Sequence, residues 1–531
     1  MRQHSTIHFK DTGYFSNLMC DYLDQNEKVN AFYNHFPNIE GFRAQIIEKQ
    51  DSFNKDKRIV LYDCLRRQYK GTELSESTED NLKLLKKENT FTITTGHQLN
   101  LFTGPLYFLY KIISVINLTR QLKLEFPEKN FVPVYWMATE DHDFEEIKYF
   151  NYKGKKIKWD REPGGAVGKL STEGMEAVYD IIEESFGTGS NSKRLKSLFY
   201  DSYLKHKTLT EATRYLANEL FAAHGLVIVD GDDSGLKRVF TPYVEKELIE
   251  NNCFKTVSKT NESLSLNYPI QVNPREINLF YLDKGLRERI LFQNERFQIN
   301  NTNLVFEKED FINLVREHPE KFSPNVLMRP LYQEVILPNL CYIGGGGEMA
   351  YWLQLKGYFN EVKVPFPILL LRNSVLLLDS KYERKMEALG IEIEEIFLNR
   401  NQLIKNKVKQ ISDIEIDFSK EKMALSQMFG HLKSLSDKTD KSFSGAVLAQ
   451  EKKQLNGLEK LEKRLLKAQK RKYAEIVDRI IDLKEQLFPK SSLQERQANF
   501  SEFYELYGDD LIPLLIDCLD PLKLEFDVIR P

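Results

Sequence analysis

The sequence predicts an α/β protein: an open parallel sheet with connecting insertions, followed by an antiparallel α-helical coiled coil. Three observations carry this reading. Short apolar, β-branched runs end in glycine-rich or acidic turns, and helical patterns follow them. That strand–turn–helix grammar recurs up to about residue 375. From about Leu376 the composition changes to Glu, Lys, Leu and Ile and is almost free of proline until Pro489.

The first strand expected is Thr92–Thr95, and a helix pattern runs from Leu106 to about Leu124. Val132–Ala138 follows as a second buried strand, so the three pieces suit a parallel βαβ unit. Gly225–Val229, Val335–Ile343 and Phe366–Leu371 read as further strands. Residues 1–90 are helical, mixed and polar. The segments at about 151–215 and 250–325 are more polar and less regular, and read as insertions between sheet strands. The core thus spans 1–375, the coiled coil 376–488, and 489–531 returns to the core. In the coiled coil, Tyr473, Ile476, Ile480, Leu483 and Leu487 are spaced 3, 4, 3, 4, a heptad seam. Leu455, Leu458 and Leu465 continue it, with Glu462 interrupting. The polar stretch Ser434–Ser444 joins the two long helices, and Pro489 stops the last one. A lone helix would expose its seam, so the coil is the expected homodimer contact.

The chain has 531 residues, 41% hydrophobic and 29% charged, with a net charge of -3. That is ordinary globular composition, and it lacks the basic excess of a nucleic-acid binder. No apolar run approaches the ~20 residues of a membrane helix, and the N-terminus has no signal-peptide pattern. Five cysteines lie far apart with no CxxC pair. Reduced thiols in a cytoplasmic protein fit this, and no metal site is expected. Cys341 reads as a small buried hydrophobe.

Four segments carry candidate chemistry. Thr95, Gly96, His97 and Gln98 follow the first strand, and Thr103-Gly104-Pro105 precedes its helix. Ligands of open parallel sheets bind beyond the strand carboxyl ends, and a helix N-terminus offers free N–H groups. His97 is the expected acid, base or phosphate contact. The spacing is neither a P-loop nor GxGxxG. Glu140, Asp141, His142 and Asp143 end the second strand; Asp141 or His142 suits amine binding or general base catalysis. Asp230 and Asp232 end the third and suit a ribose, an amine or Mg²⁺. Arg329 and Gln333 precede Gly344–Gly347 and Glu348, where Arg329 would clamp an anion and Gly345, Gly346 and Gly347 allow close backbone approach.

Taken together, TGHQLNLFTGPLYFLYK, VPVYWMATEDHDFEEI, RPLYQEVILP and YIGGGGEMAYWLQL resemble the bacillithiol biosynthesis cysteine-adding enzyme family, in order across most of the chain. The resemblance implies a cysteine ligase that joins cysteine to glucosaminyl-malate. It implies a Rossmann-like, nucleotidyltransferase-like fold with connecting insertions, and a coiled coil that supports a dimer. Gly96 and His97 would take the place of the phosphate motif of nucleotidyltransferases. Amide formation needs an activated acyl group, and Mg-bound ATP is the expected activator. Two other readings compete: an adenylyltransferase without amide formation, and a non-catalytic coiled-coil scaffold.

Overall fold

β-Branched and aromatic residues build the central sheet of this computed structural model, which describes residues 3–162, 164–436, 438–439 and 441–531. Strand β1 (Thr90–His97) is buried along its whole length. Helix α1 (Tyr107–Glu125) follows, and then strand β2 (Asn130–Met137). Strand β3 (Val227–Asp230) comes after the first insertion. The second insertion holds a hairpin of β4 (Leu279–Asp283) and β5 (Leu286–Gln293). Helix α2 (Arg329–Ile336), strand β6 (Asn339–Gly344), helix α3 (Gly346–Trp352) and strand β7 (Ile368–Leu371) complete the core.

The sheet order is β7-β6-β1-β2-β3, all parallel. From β1 the chain winds outward through β2 and β3, then crosses back to place β6 on the other side of β1. The strand order therefore reverses between β1 and β6, where helices leave on either side and a crevice opens beyond the carboxyl ends. Val115, Leu118 and Leu122 of α1 pack with Phe91, Ile93 and Ile343 of the strands in one apolar cluster. Nearly continuous apolar strands are what a sheet buried on both faces requires.

The insertions have regular structure of their own. Residues 149–158 form a two-stranded hairpin, and helices Met175–Ser185, Ser190–Tyr203 and Leu209–Phe221 follow. In the second insertion, β4 and β5 belong to a five-stranded antiparallel sheet with Arg296–Ile299, Val305–Glu307 and Phe322–Pro324.

One expected strand is divided. Val335 and Ile336 end helix α2, and the strand itself begins only at Asn339. An apolar run alone does not separate a buried helix from a buried strand.

The chain forms two compact units. One comprises residues 1–10, 14–377 and 494–531, the other 11–13 and 378–493. In the first, Phe526–Arg530 pairs with both Gln3–Ile7 and Val375–Leu377, and Arg372 makes a buried two-pronged pair with Glu495. In the second, helices α4 (Ser380–Leu389), α5 (Arg400–Ile411), α6 (Ser419–Ser436), α7 (Lys441–Lys472) and α8 (Ala474–Leu487) follow one another. Lys422–Glu462 at 2.5 Å and Lys472–Asp413 at 2.9 Å are consistent only with α6 and α7 running antiparallel. Glu462 thus forms an ion pair where the seam is interrupted. Of the polar connection, Asp437 and Asp440 lie outside the described residues.

The heptad seam is corrected. Tyr473 breaks the helix between α7 and α8, with φ −103° and ψ 34°. Ile480, Leu483 and Leu487 are fully buried; α8 packs on α4 and α5, and Lys484 of α8 donates to the Ile396 carbonyl. The seam therefore needs no second chain to cover it.

Candidate active site

A cavity of about 580 Å³ opens beyond β1, β2 and β6, at the reversal of strand order. That volume lies in the range of small-molecule sites. Its wall includes Gly96, His97 and Gln98 from the end of β1, Glu140 and Asp141 after β2, Arg329 from α2, and Gly347 and Glu348 from α3.

A buried polar cluster forms the floor. Lys111, one turn into α1, donates to the Gly96 carbonyl at 2.7 Å and pairs with Glu348 at 2.5 Å. Glu348 also accepts from Tyr342 Oη at 2.6 Å and from the Gly345 N–H at 2.9 Å. Burial opposes ionisation of Glu348, but Lys111 beside it holds the carboxyl below its usual range. Burial lowers the Lys111 ammonium in turn. Of the glycine run, Gly344 is required by space. A Cβ there would meet the Tyr342 ring at 3.0 Å and Glu348 at 3.1 Å. None of Gly344–Gly347 has positive φ, so the run is unstrained; Gly344 alone is tight, and Gly347 faces open space.

Arg329 is held among aromatic rings, with Trp136, Tyr342 and Trp352 within 6 Å of its guanidinium carbon. Its Nη1 donates to Gln333 Oε1 at 3.0 Å. Gln333 is fully buried and also donates to Glu334, so it orients Arg329 and does not face a ligand. Arg329 Nη2 is buried without a hydrogen-bond partner. A buried, unmatched guanidinium N–H is costly, and an anion in the cavity would satisfy it.

His97 is buried and packs on Tyr107 and Phe108. Burial first, and then Lys111, lower its pKa to about 3. It is neutral, and its Nε2 faces the Thr103 carbonyl at 3.3 Å. A carbonyl only accepts, so Nε2 carries the proton and Nδ1 is the bare acceptor. His97 thus stands as a neutral imidazole whose Nδ1 is free to accept.

The second acidic segment separates into distinct roles. Asp141 Oδ2 accepts from Gln98 at 2.8 Å, and Oδ1 accepts from the His142 N–H at 2.7 Å. Burial works against it, but these bonds hold the Asp141 carboxyl well below the usual range. Such a carboxylate is a poor base and a good partner for a cation. Gln98 also donates to Glu146. His142 is outside the cavity wall and mostly exposed; its Nδ1 accepts from Arg287 at 2.8 Å. Asp143 caps a short helix at Phe144–Ile147. Glu140 lines the cavity, pairs with Lys237 at 2.7 Å, and is pushed upward by burial.

Several expected ligand residues are committed elsewhere. Thr95 Oγ1 donates to the Ile343 carbonyl and staples β1 to β6. Asp230 accepts from Thr139 at 2.5 Å and from the Asp232 N–H. Asp232 pairs with Lys237 and Lys169. The Thr103-Gly104 turn faces inward. Phe102 and Thr103 have φ of 47° and 68°, and Asn499 clamps the turn by donating to the carbonyls of Phe102 and Gly104. Gly104 itself has φ +66°, and a Cβ would lie 2.6 Å from Asn100. Nor is the start of α1 free to hold a phosphate. The N–H groups of Leu106, Phe108 and Leu109 bond to carbonyls of Ala498, Pro105 and Leu106. These three N–H groups are therefore not offered to a phosphate. Among the described residues no group of three His, Cys, Asp or Glu side chains is placed to hold a metal.

The sequence reading missed Lys111, Tyr342, Tyr351 and Arg287, which line the cavity. Lys111 carries a signal: it is the one cation in the apolar run YFLYKIISVI. Arg287 carries none, since it sits in an alternating polar hairpin.

Cys20, Cys64, Cys253 and Cys341 are buried free thiols. Burial pushes the Cys341 thiol well up, so it is inert.

Comparison with known proteins accounts for the whole chain. Residues 1–373 match the bacillithiol biosynthesis BshC N-terminal Rossmann-like domain, and 375–531 its C-terminal coiled-coil domain. Two relatives bear the name "Putative cysteine ligase BshC". The one from Flavobacterium johnsoniae is 55% identical, over 98% of this chain and 99% of its own length. The one from Cytophaga hutchinsonii is 39% identical, over 97% and 96%. By both domain matches and by these identities, the chain belongs to the bacillithiol biosynthesis BshC family.

Proposed function

We propose that the chain is a cysteine ligase of bacillithiol biosynthesis, which joins L-cysteine to glucosaminyl-malate through an amide bond in the last step. The observation that carries this reading is the cavity's mixed charge. Arg329 offers an unmatched buried N–H to a carboxylate, while ionised Asp141 faces the same space. An acid and an amine brought together need both.

Amide formation requires the amine of glucosaminyl-malate to attack the activated carboxyl of cysteine, expel the activating group from that carbon and lose a proton. Asp141 holds the amine by charge. Glu140, raised by burial, is the more basic carboxylate of the two and the one suited to take the proton; this moves the base one residue from Asp141 and away from His142. Arg329 holds a substrate carboxylate. Mg-bound ATP is the activator we propose, and its phosphates do not belong at the α1 turn. The cytoplasm, where the low-molecular-weight thiol pool is made, is the proposed location. Among the described residues no helix is long and apolar enough to cross a membrane.

We also propose a homodimer through the coiled coil. Met423, Met428, Phe443 and Leu461 of α6 and α7 expose roughly half or more of their surface, and a second copy would cover them. Sedimentation of a Met428→Lys/Leu461→Lys variant reads this. The expected result is a monomer, and an unchanged dimer would place the interface elsewhere.

The direct test of function incubates the protein with glucosaminyl-malate and cysteine, with and without ATP, and measures bacillithiol by mass. Product only with ATP is expected. Pyrophosphate release without cysteine would instead favour an adenylyltransferase. Normal cellular bacillithiol from a stably folded Arg329→Ala variant would favour a non-catalytic scaffold.

A further inference from the structure

Arg287 is the second guanidinium in the cavity wall, and it comes from the inserted hairpin rather than from the core. In the β4–β5 register it stands opposite Leu282, diagonal to Phe280. Its guanidinium carbon lies 3.8 Å from the Phe280 ring centroid. Its Nη1 donates to His142 Nδ1 at 2.8 Å. The head group is thus fixed on one face by an aromatic ring and at one nitrogen by an acceptor. Its Nε is buried with no hydrogen-bond partner. Nearby carboxylates do not satisfy it. Glu140 pairs with Lys237, and Asp141 accepts from Gln98 and the backbone. Among the described residues no carboxylate forms an ion pair with Arg287.

Two buried guanidinium N–H groups without partners, on Arg287 and Arg329, therefore meet one cavity. A guanidinium edge matches a carboxylate in planar geometry. We infer that Arg287 is a specificity-determining residue that binds a second substrate carboxylate, so that the cavity selects a ligand with two carboxylates, and that His142 is its positioning residue. The inference rests on the proposed site for glucosaminyl-malate, whose malyl group carries two carboxylates. His142 suits this role because an imidazole nitrogen accepting from Arg287 cannot also take a proton from substrate.

The test measures calorimetric binding of L-malate and of L-lactate, which lacks the second carboxylate, to the full chain. Wild type is expected to bind malate at least about tenfold tighter than lactate, the scale of one charge-assisted contact. Arg287→Ala should bring that ratio close to one with lactate binding kept, and Arg287→Lys should fall between. His142→Ala should lower the ratio, and His142→Asn, whose Oδ1 replaces Nδ1 as acceptor, should restore it. In turnover, His142→Ala should raise KM for glucosaminyl-malate and spare kcat. Equal binding of malate and lactate by wild type overturns the inference, as does a ratio unchanged by Arg287→Ala. A His142→Asn variant with kcat lost overturns the positioning role. The two readings fail separately. Ligase turnover without malate selectivity sinks this inference alone, and Arg287-dependent malate selectivity without turnover sinks the ligase reading alone.

Discussion

Lys111 Nζ lies 2.5 Å from Glu348 Oε2, and the pair ties the first turns of two helices beneath the cavity floor. Lys111 also holds the last carbonyl but one of β1, at Gly96. One ammonium therefore links the end of β1 to the first turn of the helix that follows β6.

Removing one partner should leave a buried charge. Lys111→Met is expected to destabilise the protein by about 3 kcal/mol, the usual scale for breaking a buried pair. Lys111→Met/Glu348→Leu should recover a large part of it, because no ion is then left unpaired. Urea unfolding midpoints read both, and a single variant as stable as wild type would refute the account.

Arg329→Lys keeps a charge but loses the planar fork. The expected loss in kcat/KM is roughly 10- to 100-fold, equivalent to one hydrogen bond to a charged group of about 1.5–3 kcal/mol. Steady-state kinetics with intact thermal stability decides it; an unchanged kcat/KM removes Arg329 from the site.

Glu140→Gln is expected to lower kcat by about 100-fold or more, the usual contribution of a positioned base. Asp141→Asn should chiefly raise KM for the amine substrate. The opposite split would return the base to Asp141.

Acid sensitivity follows from His97. Its folded pKa of about 3 lies below the ordinary 6.5, so the unfolded chain binds a proton first as pH falls. This residue costs no stability above pH 6.5. Between pH 6.5 and about 3 it removes up to about 1.4 kcal/mol per pH unit. His97→Gln should flatten the stability–pH curve across that window. A slope identical to wild type would show His97 to be solvated.

Ile480→Lys tests the corrected seam. The side chain is fully buried on a helix that packs on α4 and α5, so a lysine there should melt the helical unit, with a loss of about 3 kcal/mol or more. Circular dichroism melting reads this. A well-folded monomer would mean that the residue had been covered by a second chain.

Legibility in the sequence followed the range of the interaction. Strands β1, β2, β3 and β7 and helix α1 announced themselves through local apolar patterns, and the acidic and glycine-rich turns marked the strand ends that line the cavity. His97, Gln98, Asp141, Arg329 and Glu348 were proposed that way, and all five line the cavity. The same local signal misled at Val335–Ile336, where an apolar helix reads as a strand, and at Tyr473, where the 3-4 spacing runs across a helix break.

The sequence by itself determined which residues occupy strand ends, because side-chain periodicity is a property of neighbours along the chain. Only the tertiary structure decided what each polar group bonds to. Thr103 and Gly104 were expected to face a ligand, yet Asn499, nearly 400 residues away, clamps their turn. His142 was expected to be a base, yet Arg287, 145 residues away, uses its free nitrogen. A hydrogen bond is satisfied by whichever group the fold brings within about 3 Å. No local pattern encodes that choice, and in this protein it separates the residues of the cavity from those that hold the cavity in place.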